Sequence, residues 1–222
     1  HQELLRIDVH DMGSPIGVAR PGSTPRDTVE YFAGWPTKIY GQTIPNSLPG
    51  ELFSYSVREP VGVVGSIIPW NNPVSATIWK IAPVLASGCT MILKPADVAC
   101  LSPLRIGEII QELDLPPGVV NIVTGGAEPG AALAAHPGVD KIAFTGSSGT
   151  GQAIMRAAAG NLKRLSLELG GKSPNIIFAD ADLDAAAPMA SMAVFGNTGQ
   201  VCVAGTRAVS YTHLTLPTIL RV

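Results

Sequence analysis

The stretch VGVVGSIIPWNNPVSATIWKIAPVLASGCTMILK, residues 61–94, decides how the rest of the chain is read. Its opening, VGVVGSII (61–68), is a continuous run of apolar and small residues, the pattern of a strand covered on both faces. PVSATIWKIAPVLASG (73–88) then has helical spacing, with Pro73 near its start and Gly88 at its end. TMILK (90–94) is a strand again. A transmembrane reading of Val61 to Trp79 fails on Pro69, Asn71, Asn72 and Pro73, which a bilayer interior would leave unsatisfied.

Towards the C-terminus the alternation continues. PLRIGEIIQEL (103–113) reads as a helix capped by Ser102-Pro103. VVNIV (119–123), KIAF (141–144) and RLSLEL (164–169) read as strands, and GAALAA (130–135) and GQAIMRAAAG (151–160) as helices. Strands separated by helices of this length predict an α/β fold: a Rossmann-like, mostly parallel sheet with helices on both faces. After Gly170-Gly171 the pattern restarts with NIIFA (175–179) and a helix from Asp182 to about Phe195. Pro188 falls inside that helix, at a cost of about 3 kcal/mol unless the helix kinks or starts late.

Towards the N-terminus, residues 1–40 read as helical, on Leu4, Leu5, Ile7 and Val9 and then Val29, Tyr31, Phe32 and Trp35. GSPIGVARPGSTP (13–25) breaks them. GQTIPNSLPGELFSYSVREP (41–60) reads as a hairpin-like excursion. The chain opens inside a helical pattern without an initiator Met, so its start is expected upstream.

Composition bounds the function. Of 222 residues 46% are hydrophobic and 14% charged, enough for a sizeable core. A net charge of -2 points away from nucleic acid or an anionic membrane as partner. Cys89, Cys100 and Cys202 are an odd count at irregular spacing, which signals neither a disulfide framework nor a metal site. With an N-terminus too polar for a signal peptide, a soluble, reducing, cytoplasmic setting is expected.

Five segments could carry chemistry. FTGSSGTGQAIM (144–155) runs from a strand into a helix through Gly146, Ser147, Gly149 and Gly151, where free N–H groups suit a pyrophosphate. It fits neither G-x-G-x-x-G nor the P-loop, and alone it is an ordinary turn. MILKPAD (91–97) puts Lys94 at a strand end with Asp97 beyond, fit for ribose hydroxyls or equally a solvated pair. In IIPWNNP (67–73), Asn71 can aim an amide at an oxyanion, though a structural Asn in a Pro-bounded turn is commoner. In LSLELGGKSP (165–174), alternation sets Ser166 and Glu168 on one face, Glu168 being a general base or simply an exposed acid. FGNTGQVCVAGTR (195–207) holds Cys202 among small residues, yet no histidine has an evident claim to activate it.

Together, PWNNP, LKPAD, FTGSSGTG, LELGGKSP and GQVCVAGTR resemble the signature segments of the aldehyde dehydrogenase superfamily, and the spacing of Glu168 and Cys202 agrees with it. The resemblance implies oxidation of an aldehyde to a carboxylic acid with NAD, or NADP, through a cysteine thiohemiacetal and thioester. It implies that Cys202 is the nucleophile, Glu168 the general base and Asn71 the oxyanion donor. Lys94 and Asp97 would meet the adenosine ribose, and Ser147 with Gly146 the pyrophosphate. Ile67, Trp70, Phe144 and Leu169 would line the groove, with Gly126 and Gly130 also at the cofactor. No metal is implied.

Residues 1–170 would then form the dinucleotide-binding domain, with 41–60 an oligomerisation arm of a homo-oligomer, and 171–209 the start of a catalytic domain. Asp97 stands where the family more often has Glu, and the later Glu-x-Phe-Gly-Pro motif is absent. VSYTHLTLPTILRV (209–222) departs from the family, so 210–222 is expected to be an anomalous tail and the chain alone inactive. The rival readings are a catalytically silent dinucleotide-binding protein and a cysteine hydrolase that turns over without NAD(P).

Overall fold

The structure is a computed structural model, and it describes residues 2–15 and 25–210. The anomalous tail expected at 210–222 lies, from Tyr211 on, outside the described residues, as does most of the 13–25 connection. In chain order the elements are α1 (Gln2–Met12), α2 (Pro25–Ala33), β1 (Thr43–Ile44), β2 (Ser54–Tyr55), β3 (Val63–Ile67) and α3 (Pro73–Ala86). They continue with β4 (Thr90–Lys94), α4 (Leu101–Gln111), β5 (Val120–Ile122), α5 (Ala127–Ala135), β6 (Lys141–Gly146), α6 (Ser148–Ala158) and β7 (Arg164–Leu169). Last come β8 (Pro174–Ile177), α7 (Leu183–Phe195) and β9 (Arg207–Ser210). The chain divides into two compact units, His1–Glu168 and Leu169–Val222.

The expected α/β class is what the first unit has. Its five strands lie in the order β5-β4-β3-β6-β7, and β3 pairs in parallel with both β4 and β6, as β4 does with β5. Alternate side chains feed two cores. Val64, Met91, Leu93 and Ala143 pack with Val74, Ile81 and Val84 of α3 and Ile106 of α4. Ile67, Ile142 and Phe144 pack with Leu133 of α5 and Ile154 of α6. Both faces are covered, which is why these strands read as apolar runs. The β1–β2 pair is antiparallel, Thr43 opposite Tyr55.

Local chemistry sets the helix ends. Pro73 opens α3, where its missing N–H costs nothing. Gly88 (φ +71°) closes it: the Cys89 N–H bonds to Val84 O and the Gly88 N–H to Leu85 O, a left-handed cap that favours glycine. The cap expected at Ser102-Pro103 is corrected. α4 starts earlier, at Leu101, because α1 supplies the acceptors. The Leu101 N–H donates to Asp11 Oδ2 at 2.8 Å, and the fully buried Ser102 hydroxyl donates to Asp8 Oδ1 at 2.5 Å. Arg105 of α4 pairs with Glu3 at 2.8 Å along the same seam.

In the second unit β8 and β9 pair in parallel, Pro174 opposite Arg207. α7 is capped by Asp182, whose Oδ1 accepts the Asp184 and Ala185 N–H groups. It begins at Leu183 and runs through Pro188, so the late start that would have spared that proline does not occur.

Candidate active site

The strand order makes the chain leave β3 in two directions, outward through β4 and β5 and then back across to β6 and β7. At such a switch point the crossovers diverge, and a crevice opens beyond the carboxyl ends of the two central strands. The register brings three of the sequence-predicted residues into one row there. Ile67, last of β3, stands opposite Lys94, last of β4, and opposite Phe144 of β6. Two residues beyond Ile92, Lys94 shares the sheet face that Ile67 and Phe144 occupy. All three are buried and make the floor of the edge.

The rim is bare. Asp97 is exposed, three residues past Lys94. A Cβ on Gly126, the residue before α5, would lie 3.9 Å from Asp97 Oδ2, and one on Gly130 would lie 3.7 Å from Ile67 Cδ1. A Cβ on Gly149 would meet nothing within 4 Å. Internal packing does not require a glycine at any of the three, so what they provide is unobstructed approach to backbone. Gly146 is different, since its Cβ would sit 2.5 Å from Phe144 Cζ.

Ser147 starts α6 from an extended conformation. Its Oγ accepts the Thr150 N–H at 3.3 Å and its hydroxyl donates to Thr150 Oγ1 at 2.9 Å. No acidic side chain offsets the positive end of the α6 dipole in its first turn. Such an edge fits a dinucleotide: a diphosphate against the start of α6, a ribose between Lys94 and Asp97.

Beyond β3 the chain passes Ile68 and Pro69 to Trp70, which is 41% exposed, and to Asn71, which is half-buried and engaged. Glu168, near the end of β7, is exposed. Its charge acts on Lys80 of α3: burial holds the Lys80 ammonium below its usual range, Glu168 pulls it back up, and Lys141 pushes it down. Sequence reasoning did not single out Lys80. The signal was available, for it is the one charged side chain of α3.

Cys202 and Leu169 belong to the second unit, and both are exposed. Cys202 sits on a turn closed by the Ala204 N–H to Val201 O at 3.1 Å. The Gly205 N–H to Ala193 O bond ties that turn to α7. A Cβ on Gly205 would come within 3.1 Å of Asn175 Cβ, so the tie needs a small residue. Ahead of the turn, Asn197, Thr198 and Gly199 all have positive φ (51°, 56° and 79°). A β-branched threonine in that region is costly, and such strain gathers at functional sites. Sequence reasoning missed this, because Asn197 and Gly199 are of types that favour the region while Thr198, between them, is not. Among the described residues no cluster of histidine, cysteine or carboxylates could hold a metal ion, and no helix is long and apolar enough to cross a membrane.

Comparison with known proteins identifies the family. The model of the Aldehyde dehydrogenase family matches residues 1–214. The chain is 56% identical over 182 residues to Retinal dehydrogenase 2 of Mus musculus, covering 81% of this chain and 35% of that protein. It is 54% identical over 182 residues to Aldehyde dehydrogenase 1A1 of Gallus gallus, with the same coverage of 81% and 35%. A solved NAD+ complex of an aldehyde dehydrogenase from Bacillus cereus is similar to it with a TM-score of 0.90 at 46% identity, covering 95% of this chain and 43% of that one. The chain thus spans 35% of the length of these two curated relatives and 43% of the solved one.

Proposed function

This chain belongs to the aldehyde dehydrogenase family, and from that premise we propose that it supplies the dinucleotide-binding edge and the nucleophile of an enzyme oxidising an aldehyde to a carboxylic acid. The observation that carries this reading is the row Lys94–Ile67–Phe144 at the switch point, bordered by the bare glycines and the start of α6.

NAD is the cofactor proposed, and when bound it supplies the hydride acceptor. Lys94 and Asp97 hold the adenosine ribose, and the start of α6 at Ser147 holds the diphosphate. Ile67, Trp70, Phe144 and Leu169 border the groove, with Gly126 and Gly130 keeping it clear and Gly146 beside the diphosphate. The Cys202 thiolate attacks the aldehyde carbonyl, and Asn71 with the Cys202 N–H holds the resulting oxyanion. After oxidation the acyl group is a thioester on Cys202. Glu168 takes a proton from water, the water attacks, and the acid leaves as the thiolate is restored. The 41–60 excursion would serve assembly of a homo-oligomer.

We expect the chain alone to bind NAD without turning over, since Cys202 and the apolar side chains of α7 lie open to solvent. The test is absorbance of NADH formed from a panel of aldehydes by the enzyme containing this sequence, beside NAD titration of the chain itself. Turnover without any nicotinamide cofactor would favour a hydrolase. NAD binding with no oxidation by the enzyme containing this sequence would favour a silent binder.

A further inference from the structure

A second cavity, of about 540 Å3, lies against the chain that enters the strands, at the edge opposite the Lys94–Ile67–Phe144 row. Arg58, Glu59, Asp140, Asn161, Lys163 and Arg164 contribute its polar lining. We propose that this cavity binds a small oxyanion, a carboxylate or phosphate compound, gripped by Arg58, Lys163 and Arg164.

Its walls are fixed before any ligand arrives. The Asp140 Oδ2 accepts the Val63 N–H at 2.8 Å, and the Arg164 N–H donates to Asp140 O at 3.0 Å. The Asn161 amide donates to Pro137 O and Val139 O at 3.1 and 3.2 Å, pinning the turn before β7 onto the segment before β6. Gly62, at φ +115°, lets the other wall close in, since a Cβ there would fall on the Asp140 carboxylate.

The charges within these walls are incompletely matched. Lys163 is 7% exposed, and its ammonium, with three donors, gives one of them to His136 O at 2.7 Å. Burial holds it below the usual lysine range, while Asp140 opposes that shift. With Asp140 set against Lys163, two guanidinium groups face the single carboxylate of Glu59, a surplus of one positive charge. Neither guanidinium has a hydrogen-bond or ion-pair partner among the described residues. An oxyanion would give the forked arginines the geometry they prefer and would meet the spare ammonium donors. A cavity of this size suits a small molecule.

The experiment titrates inorganic phosphate and citrate separately into the chain by calorimetry, at constant ionic strength set with chloride. Saturable one-to-one binding of either is expected, weakened at least 10-fold in Arg58→Ala/Arg164→Gln and unaffected by saturating NAD. The two probes separate phosphate from carboxylate ligands. Because both arginines are exposed, the double variant is expected to fold, which far-ultraviolet circular dichroism checks. No saturable binding of either anion, equal binding in the double variant, or displacement by NAD would overturn the proposal.

Discussion

The two units of this chain differ in how much interior each builds for itself. In the first, Met91, Leu93 and Ile142 are wholly covered, because a five-stranded sheet has helices on both faces. In the second, α7 has no buried side chain, and Met189, Met192 and Phe195 are each more than 60% exposed. Among the described residues of this unit, one α-helix and a two-stranded pair offer too little surface to close a core. The contrast teaches that the edge proposed to grip the dinucleotide stands on a self-sufficient scaffold, whereas Cys202, the proposed nucleophile, sits on a turn held by a few backbone bonds.

Removing the nucleophile should separate the two most sharply. Cys202→Ala in the active enzyme is expected to lower kcat on the order of 10^4-fold or more, with NAD affinity unchanged by fluorescence titration. Loss of both together would break the division between the units. Core truncation comes next. Ile142→Ala, in the first unit, should cost about 2–5 kcal/mol in urea unfolding, whereas Met192→Ala, on exposed α7, should stay within about 0.5 kcal/mol. Equal costs would erase the contrast.

A pH dependence sharpens it further. Burial raises the Asp8 pKa from 3.8 to about 6, outweighing the Ser102 and Val74 hydrogen bonds, with the neighbouring Asp11 charge adding to the rise. A carboxyl raised on folding stabilises the fold when protonated. That contribution is full below about pH 4 and is lost as pH climbs through 6. Asp8→Asn should therefore unfold at higher urea than the native chain at pH 7, by up to about 3 kcal/mol. The gap should narrow towards pH 4.5, and a constant gap would mean that Asp8 does not titrate in this range. The smallest effect is expected at Gly149→Ala, where a methyl meets nothing within 4 Å. Stability should hold within about 0.5 kcal/mol while NAD binds more weakly, and an unchanged affinity would remove Gly149 from the groove.

The sheet was legible because parallel strands buried on both faces must be apolar and short. TMILK forms β4 at its expected bounds, and RLSLEL, an alternating edge strand with no buried residue, forms β7 at its own. The edge that Lys94, Ile67 and Phe144 share was legible only as separate segments, since register is a property of strand pairs. What lay beyond reach was long-range. Ser102 has the residue type of a cap, yet its hydroxyl answers Asp8, 94 positions away, and the start of α4 moves with it. Lys80 went unremarked, since only the fold brings its helix near Glu168. The left-handed backbone of Thr198 has no signature in side-chain type at all.

The lateral alignment of Ile67 with Lys94 and Phe144 makes the proposed coenzyme edge a gauge of correct assembly. Were β4 to slide by one position, Leu93 would stand beside Ile67 and the ammonium would turn to the opposite face. Such a molecule would keep its helix and strand content, so bulk spectroscopy would pass it. Only affinity for the dinucleotide would tell the mispaired chain from the true one.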